Sequence, residues 1–571
     1  MNAQDVLQKY WGYSHFRLNQ EEIIQQVLEN NDTLALLPTS GGKSICYQVP
    51  AIIKDGICLV ISPLIALMKD QVRHLKSKGI KSVFINSNMY YSDLDTALTN
   101  CIYGGIKFLY LSPEKLQNEL VLARIKKMNI NLIAIDEAHC ISDWGHNFRP
   151  SYRYISQIRS YFPDVSILAL TATATSDVIK DIQSNLLFKK TNLIRASFNR
   201  NNLSYIVENT EKKRLRLLKL LNKIKSSVII YVDTRKGTKD LTNFLIDNNY
   251  SATFYHAGLS FEERNKRYEN WSKNQIRIMV ATNAFGMGIN KPDVRLVIHM
   301  SLPPTIEAYF QEAGRSGRDG KTAYSFLLVN NNDVKKQKEL LNLRYPEITD
   351  IVDGYQNIAN YLQIAVNDFP KDPIPFDIVD FCDRYNTSPL KIYHIIKCLE
   401  KEEKLRLSVH EYSPSKLKII LSKLELYKFQ ISNKFYDPLI KYLLRSYNNI
   451  FNHLVIINEE KIAMHFNSSI DDVKILLNKL NQLEVLEYQQ KNNFNQLIFM
   501  QQRIDIGIMN LNKRKWEERK KYDISKLDAV CDYIKNNDVC RNQFLLNYFG
   551  EENQHLCGVC DVCIKAKSER N

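Results

Sequence analysis

Long apolar runs are missing from this chain. No stretch of about 18 apolar residues occurs, so no membrane span is expected. The opening Met1-Asn2-Ala3-Gln4-Asp5 has neither a charged n-region nor an apolar h-region, which argues against a secretory signal. A disulfide framework is also absent from the pattern. Of 11 cysteines, four cluster near the C-terminus and the other seven are scattered singly, which suits a reducing cytosol. Acidic charge is in deficit: 62 Asp+Glu stand against 77 Lys+Arg, a net charge of +15. A polyanionic partner is one reading, nucleic acid before acidic membrane. A basic cytosolic protein from a Lys- and Asn-heavy genome is the other, and charge alone leaves both open. The remainder is ordinary. With 44% apolar and 24% charged residues the chain is no disordered polymer, and 571 residues exceed one core, pointing to about three to five domains.

Residues 1–205 repeat one pattern of a short apolar run, a polar loop and a helix-like stretch. The runs lie at 33–37, 57–61, 108–111, 132–135 and 167–170. Uniformly apolar strands alternating with helices predict a parallel sheet covered on both faces, with ligands at the carboxyl ends of its strands. Residues 206–335 repeat the pattern, with runs at 228–232, 253–255, 276–281 and 296–299, but contain no phosphate loop. Two such lobes imply a nucleotide gripped between them. Beyond about residue 340 the chain turns to helices rich in Leu, Lys, Tyr and Asn. Residues 376–409 and 459–500 each read as helix, turn, helix, strand, the second with a wing formed by 485–488 and 496–500. Both fit winged-helix units, although any amphipathic helical hairpin gives the same periodicity.

The segment Thr39-Ser40-Gly41-Gly42-Lys43-Ser44 has small side chains that let backbone N–H groups approach phosphate, with a helix starting at Lys43. Lys43 supplies charge for the β- and γ-phosphates, and the Ser44 hydroxyl can ligate Mg²⁺. The strict pattern wants glycine where Leu37 stands. About 100 residues later an apolar strand ends in Asp136-Glu137-Ala138-His139. Asp136 is expected to hold magnesium and Glu137 to orient or deprotonate the attacking water. His139 is either a relay or a satisfied structural histidine. In the second lobe, Gln311-Glu312-Ala313-Gly314-Arg315-Ser316-Gly317-Arg318 places two arginines three apart. Reaching a γ-phosphate from the opposite lobe, they would stabilise transition-state charge. A solvated helix start is the alternative.

Together these residues resemble a superfamily 2 DExH helicase, and specifically the RecQ family of DNA helicases. Tyr13, Phe16-Arg17 and Gln20 are similar to that family's adenine-recognition motif. Thr39, Ser40, Gly41, Gly42, Lys43 and Ser44 match its first motif, with Ser40 where the family usually has glycine. Ser62-Pro63-Leu64, Tyr110-Leu111-Ser112-Pro113-Glu114 and Thr171-Ala172-Thr173-Ala174 resemble its strand-contact and coupling motifs. The most specific stretch runs from Cys140 to Tyr152, and it is similar to the family's aromatic-rich loop, which senses single-stranded DNA. Trp144, Phe148 and Tyr152 would offer stacking faces, with His146 and the Arg149 cation beside them and Gly145 as hinge. Core packing is the competing account of aromatics at that spacing. In the second lobe Tyr255-His256-Ala257-Gly258-Leu259 and residues 281–289 resemble later helicase motifs. The resemblance also implies Gln311 at the nucleotide, with Arg315 and Arg318 on the γ-phosphate and Arg318 as the finger.

Cys540-x16-Cys557-x2-Cys560-x2-Cys563 supplies four thiolates, enough for a closed tetrahedral Zn²⁺ site; a redox dithiol is the weaker alternative. The surroundings resemble the RecQ zinc-binding subdomain. The order differs from the family's usual one, since about 200 residues separate this module from the second lobe. The expected architecture is therefore α/β: two RecA-like parallel-sheet lobes (1–205 and 206–340), a helical region with two winged-helix-like units (341–520) and a C-terminal zinc module (521–571). The resemblance implies an ATP-dependent DNA helicase moving 3′ to 5′, acting in DNA repair or recombination with ATP, Mg²⁺ and Zn²⁺. It would bind single-stranded and forked DNA as a monomer, in the cytoplasm (at the nucleoid if bacterial), with no membrane partner. A DExH RNA helicase and a DNA-stimulated ATPase that binds or anneals DNA are the alternatives.

Overall fold

The computed structural model describes residues 1–571 other than 39–40, 87–88, 90, 143, 146–147, 287–290, 371, 409–414, 491–494, 510, 553–554 and 571. The side chains of Ala66, Tyr91, Phe261, Ile508 and Arg570 are likewise outside the description. The chain forms two compact units, one of Met1–Leu341 with Lys515–Asn571 and one of Asn342–Arg514.

The first unit contains two parallel sheets. In lobe 1 the strands are β1 (Thr33–Leu36), β2 (Ile57–Ile61), β3 (Ser82–Ile85), β4 (Phe108–Leu111), β5 (Ile130–Ile135), β6 (Ile167–Thr171) and β7 (Leu193–Arg195), in the spatial order 3-4-2-5-6-1-7. Lobe 2 has β8 (Leu203–Asn209), β9 (Ser227–Tyr231), β10 (Ala252–Tyr255), β11 (Ile278–Ala281), β12 (Val294–His299) and β13 (Ala323–Val329), in the order 10-11-9-12-13-8. Every residue of β1, β2, β4, β5, β6, β9 and β11 is buried, as strands covered by helices on both faces require. β1 lies between β6 and β7, with Leu36 opposite Thr171 and Arg195, so the chain leaving β1 and the chain leaving β6 emerge side by side. The nucleotide loop follows β1 and the carboxylate box follows β5. β3, β7, β8 and β13 go beyond the apolar runs: β3, β7 and β8 are only partly buried, and β13 begins on the mixed Ala-Tyr-Ser.

The second unit has two antiparallel sheets, and here one expectation is corrected. β14 (Ile374–Phe376), β15 (Leu405–Ser408) and β19 (Asn495–Phe499) form one sheet with the helices Ile378–Arg384 and Pro389–Lys401. β16 (Lys416–Ile419), β17 (Val455–Ile456) and β18 (Leu486–Gln489) form the other with Glu459–Phe466 and Ile470–Gln482. The wing expected from 485–488 and 496–500 does not form: β18 pairs with β16, while β19 returns to pair with β14 and β15. The second helix–turn–helix element is thus threaded into the first, between β15 and β19. Its apolar core, including Leu417, Leu443, Ile462, Leu477 and Leu480, lies wholly within 417–488.

Candidate active site

Lys43–Ile53 starts after Gly42, whose left-handed backbone (φ 70°) leaves the first turn with no side-chain cap. Its free N–H groups and positive end face the loop, which suits an anion. Thr39 and Ser40 lie outside the described residues. Gly41 is buried and Gly42 exposed. A Cβ on Gly42 would collide with the Gln20 amide, so glycine is needed twice over. Gln20 Nε2 donates to the carbonyls of Gly41 (3.0 Å) and Gly42 (3.2 Å), while its Oε1 accepts from the Arg17 N–H at 3.0 Å. The glutamine expected at the base edge is therefore also a brace for the phosphate loop, a role its residue type did not disclose. Tyr13 is 49% exposed with the Arg17 guanidinium 5.4 Å from its ring centre, a surface open to a flat base. Lys43 and Ser44 are half-buried at the helix start.

Asp136 and Glu137 leave the end of β5. Glu137 adopts φ 50° and ψ 46°, a left-handed conformation uncommon for a side chain other than Gly or Asn, and its N–H donates to Asp136 Oδ1 at 3.0 Å. Burial, then the Glu137 charge, pushes Asp136 up to about 6 against the opposing pull of Lys43. This is a carboxyl in need of cationic charge, and with Ser44 it offers the hard oxygen donors that suit Mg²⁺. His139 is buried, with Nδ1 2.9 Å from Thr171 Oγ1 and 3.5 Å from Glu137 Oε2, so it connects the box to the end of β6.

His146, with Asp143 and Asn147, lies outside the described residues. Trp144, Phe148 and Arg149 are half-buried, and Arg149 donates to the Pro63 carbonyl at 3.2 Å. The Arg153 guanidinium lies 5.2 Å from the Phe148 ring centre. Tyr152 corrects the expectation of a stacking face: its side chain is 0% exposed and its hydroxyl donates to the Asp136 carbonyl at 3.0 Å. Gly145 is likewise a packing position, since a Cβ there would collide with the His139 carbonyl. The loop is thereby fastened to the carboxylate box at two points.

Gln311 is buried in the helix Ile306–Ala313, and Arg315 follows it almost fully buried. Arg315 Nε has no hydrogen-bond partner among the described residues. Burial, then the charges of Arg315 and Arg200, pushes Arg318 down to about 9. Three guanidinium groups crowd here, Arg315 buried and Arg200 and Arg318 half-buried, and such a concentration of positive charge suits an anion. Arg200 fixes the turn by donating to the carbonyls of Ser316 (3.0 Å) and Gly317 (2.7 Å). A lone arginine between lobes carried no signal in the sequence. The described contacts of these arginines lie in lobe 2 and the linker, and those of Lys43 and Asp136 in lobe 1; their meeting across a nucleotide belongs to the proposal below.

The Sγ atoms of Cys540, Cys557, Cys560 and Cys563 lie within 4.8 Å of one another, with Cys557–Cys563 and Cys560–Cys540 both at 3.9 Å. Zn–S bonds of about 2.3 Å at tetrahedral angles place sulfurs about 3.8 Å apart. Backbone N–H groups of Cys557, Cys560 and Cys563 each donate to a ligand sulfur at 3.4 Å, which favours thiolates. The four residues fit Zn²⁺. None of the eleven cysteines is joined in a disulfide. Despite its place in the sequence, the zinc module packs on the lobes: Arg195 donates to the Gly550 carbonyl (3.0 Å), Glu551 accepts from Ser197 Oγ and the Phe198 N–H, and Asp561 accepts from the Val207 N–H at 3.2 Å.

Comparison with known proteins places these features in one lineage. In order along the chain, residues 17–182 match the DEAD/DEAH box helicase family and 212–320 the helicase conserved C-terminal domain. Residues 417–490 match the RecQ helicase winged-helix domain of Bacteroidota, and 490–564 the RecQ zinc-binding domain. The probable ATP-dependent DNA helicase RecS of Bacillus subtilis (strain 168) is 41% identical over 355 residues, 61% of this chain and 71% of that protein. The ATP-dependent DNA helicase RecQ of the same organism is 41% identical over 342 residues, 59% of this chain and only 58% of that protein. The solved structure of DUF1998 helicase MrfA bound to DNA aligns with a TM-score of 0.50 at 16% identity, over 71% of this chain and 61% of that one, a likeness of fold alone. Both lobes, the threaded winged helix and the four-cysteine module are accounted for by a single ancestry, and the chain belongs to the RecQ family of ATP-dependent DNA helicases.

Proposed function

We propose that this chain hydrolyses ATP between its lobes to move 3′ to 5′ along single-stranded DNA and separate duplex strands ahead of it, as a cytoplasmic monomer in DNA repair or recombination. Tyr13 and Arg17 would take the adenine, and Gly41, Gly42 and Lys43 the phosphates. Asp136 and Ser44 would hold Mg²⁺, which when bound neutralises phosphate charge. Glu137 is aimed by its own left-handed backbone and would take the proton of the attacking water. Arg318, aided by Arg315, would meet the charge that develops on the γ-phosphate. The carrying observation is the Tyr152 hydroxyl on the Asp136 carbonyl: the aromatic loop cannot shift on DNA without pulling the backbone that bears both catalytic carboxylates.

Forked duplexes with a single-stranded 3′ or 5′ arm, with and without ATP, test this reading. Strand separation that needs ATP and the 3′ arm is expected. Unwinding of RNA duplexes in preference would overturn the DNA assignment, and DNA-stimulated ATPase without strand separation would favour a binding or annealing factor.

A further inference from the structure

The helix Lys513–Lys535 leads into the zinc module, and from Lys515 onward it belongs to the same compact unit as both lobes. Tyr522 and Lys526, one turn apart, share one of its faces. The Trp144 ring of the aromatic loop meets the Tyr522 ring edge-on, with centres 5.1 Å apart. Lys526 Nζ lies 4.8 Å from the Tyr522 ring centre and 5.2 Å from that of Tyr548. Lys526 is 8% exposed and pairs with Glu307, itself 5% exposed. The Tyr548 hydroxyl closes a triangle, accepting from Lys526 at 2.9 Å and donating to Glu307 Oε1 at 3.0 Å. Glu307 stands in the first turn of Ile306–Ala313, whose far end passes through Gly314 into Arg315 and Arg318. That far end is held as well, by Glu312 on His299 Nε2 at 3.0 Å. A helix of this length is a rigid rod of about 12 Å.

We infer that Tyr522 and Lys526 are positioning residues through which DNA at Trp144 sets the arginines of lobe 2. The inference rests on the reading of Trp144 as a DNA contact and of Arg315 and Arg318 as γ-phosphate contacts. Trp144 belongs to lobe 1 and Glu307 to lobe 2, and the zinc module's helix touches both. A buried ion pair is a poor way to gain stability compared with apolar packing, but it demands one geometry. When Trp144 leaves Tyr522 to stack on a base, one wall beside the Lys526 ammonium opens to water, and the pair with Glu307 loosens from its single arrangement. The rod it anchors then carries that change to the arginines.

The test uses the full-length, zinc-loaded protein. Tyr522→Leu removes the ring, Tyr522→Phe keeps it, and Lys526→Met with Glu307→Gln removes the pair without leaving a lone buried charge. Basal ATPase, ATPase at saturating single-stranded DNA, DNA affinity and Tm are read for each. Tyr522→Leu and the double variant should lose about tenfold in DNA-stimulated kcat with little change in the KM for ATP, basal rate or DNA affinity. Tyr522→Phe should behave as wild type. Retained stimulation in both disruptive variants overturns the relay, as does a loss that merely tracks Tm or DNA affinity. Absence of stimulation in the wild type would instead sink the underlying reading of the site, and the relay with it.

Discussion

At the scale of single residues the site is governed by where charge is buried. Lys43→Ala removes a cation that opposes the upward push on Asp136 and leaves the phosphate loop without its point charge. It should abolish ATPase and unwinding while DNA affinity stays within about threefold, because a chain of net charge +15 would hold DNA phosphates through many cations besides this one; fluorescence anisotropy beside a phosphate-release assay checks both. Asp136 gives a prediction in pH. Its folded carboxyl, at about 6, holds its proton more tightly than an unfolded one near 3.9. Without magnesium this group therefore adds stability as pH falls from about 6 towards about 4, and subtracts it above. A cation on Asp136 must displace that proton. Magnesium-dependent nucleotide affinity is thus expected to weaken by roughly an order of magnitude between about pH 7 and about pH 5, measured by titration calorimetry. Residue types at the site were legible in the sequence, but their partners were not. Gln20 reads as a base contact through the family resemblance, and Tyr152 as a stacking face through that resemblance and its ring. Tyr152 lies fully buried beneath the carboxylates, and only the fold decides which aromatic of a cluster points inward.

Among elements, legibility followed locality. Strands buried on both faces, such as β2 and β5, announce themselves as apolar runs. The wing failed because β18 and β19 are neighbours in sequence that pair elsewhere, β19 with strands about 90 and about 120 residues earlier. Cysteine spacing marks the zinc module, yet its seat depends on Gly550 and Glu551 against the interlobe linker and on Asp561 against β8, ordinary surface residues until the fold brings them there. That seat has a consequence. Extracting zinc with a strong chelator should disorder the loop bearing Cys557, Cys560 and Cys563 and release residues 195–207. We expect Tm to fall by about 5 °C or more and ATPase to be lost together with zinc, restored on adding the metal back. Scanning fluorimetry against chromogenic zinc release measures this. ATPase that persists after full release would mean that the linker is held without the module.

At the scale of the molecule the chain is nested twice: the unit Asn342–Arg514 interrupts the first unit, and the element of 416–489 interrupts the sheet of that insert. Nesting of this kind requires each part to bury its own core. The lobe 1 core around Ala35, Val60 and Leu170, the lobe 2 core around Ile230, Val280 and Leu296, and the core of the threaded element around Leu417 and Leu477 are separate clusters. The insert should therefore be removable. With 342–514 replaced by a short Gly/Ser linker, both lobes and the zinc module are expected to fold and to keep ATPase stimulated by single-stranded DNA. Every proposed nucleotide contact, the aromatic loop and the Lys526–Glu307 pair lie in what remains. Strand separation on forked DNA should fall at least tenfold, on the reasoning that splitting a duplex needs a surface that engages double-stranded DNA and helix–turn–helix elements supply one. A shallower dependence of duplex affinity on salt should accompany the loss, since each phosphate contact removed reduces the slope by about one. Full unwinding by the excised protein would place strand separation in the lobes themselves and leave the nested insert a different task.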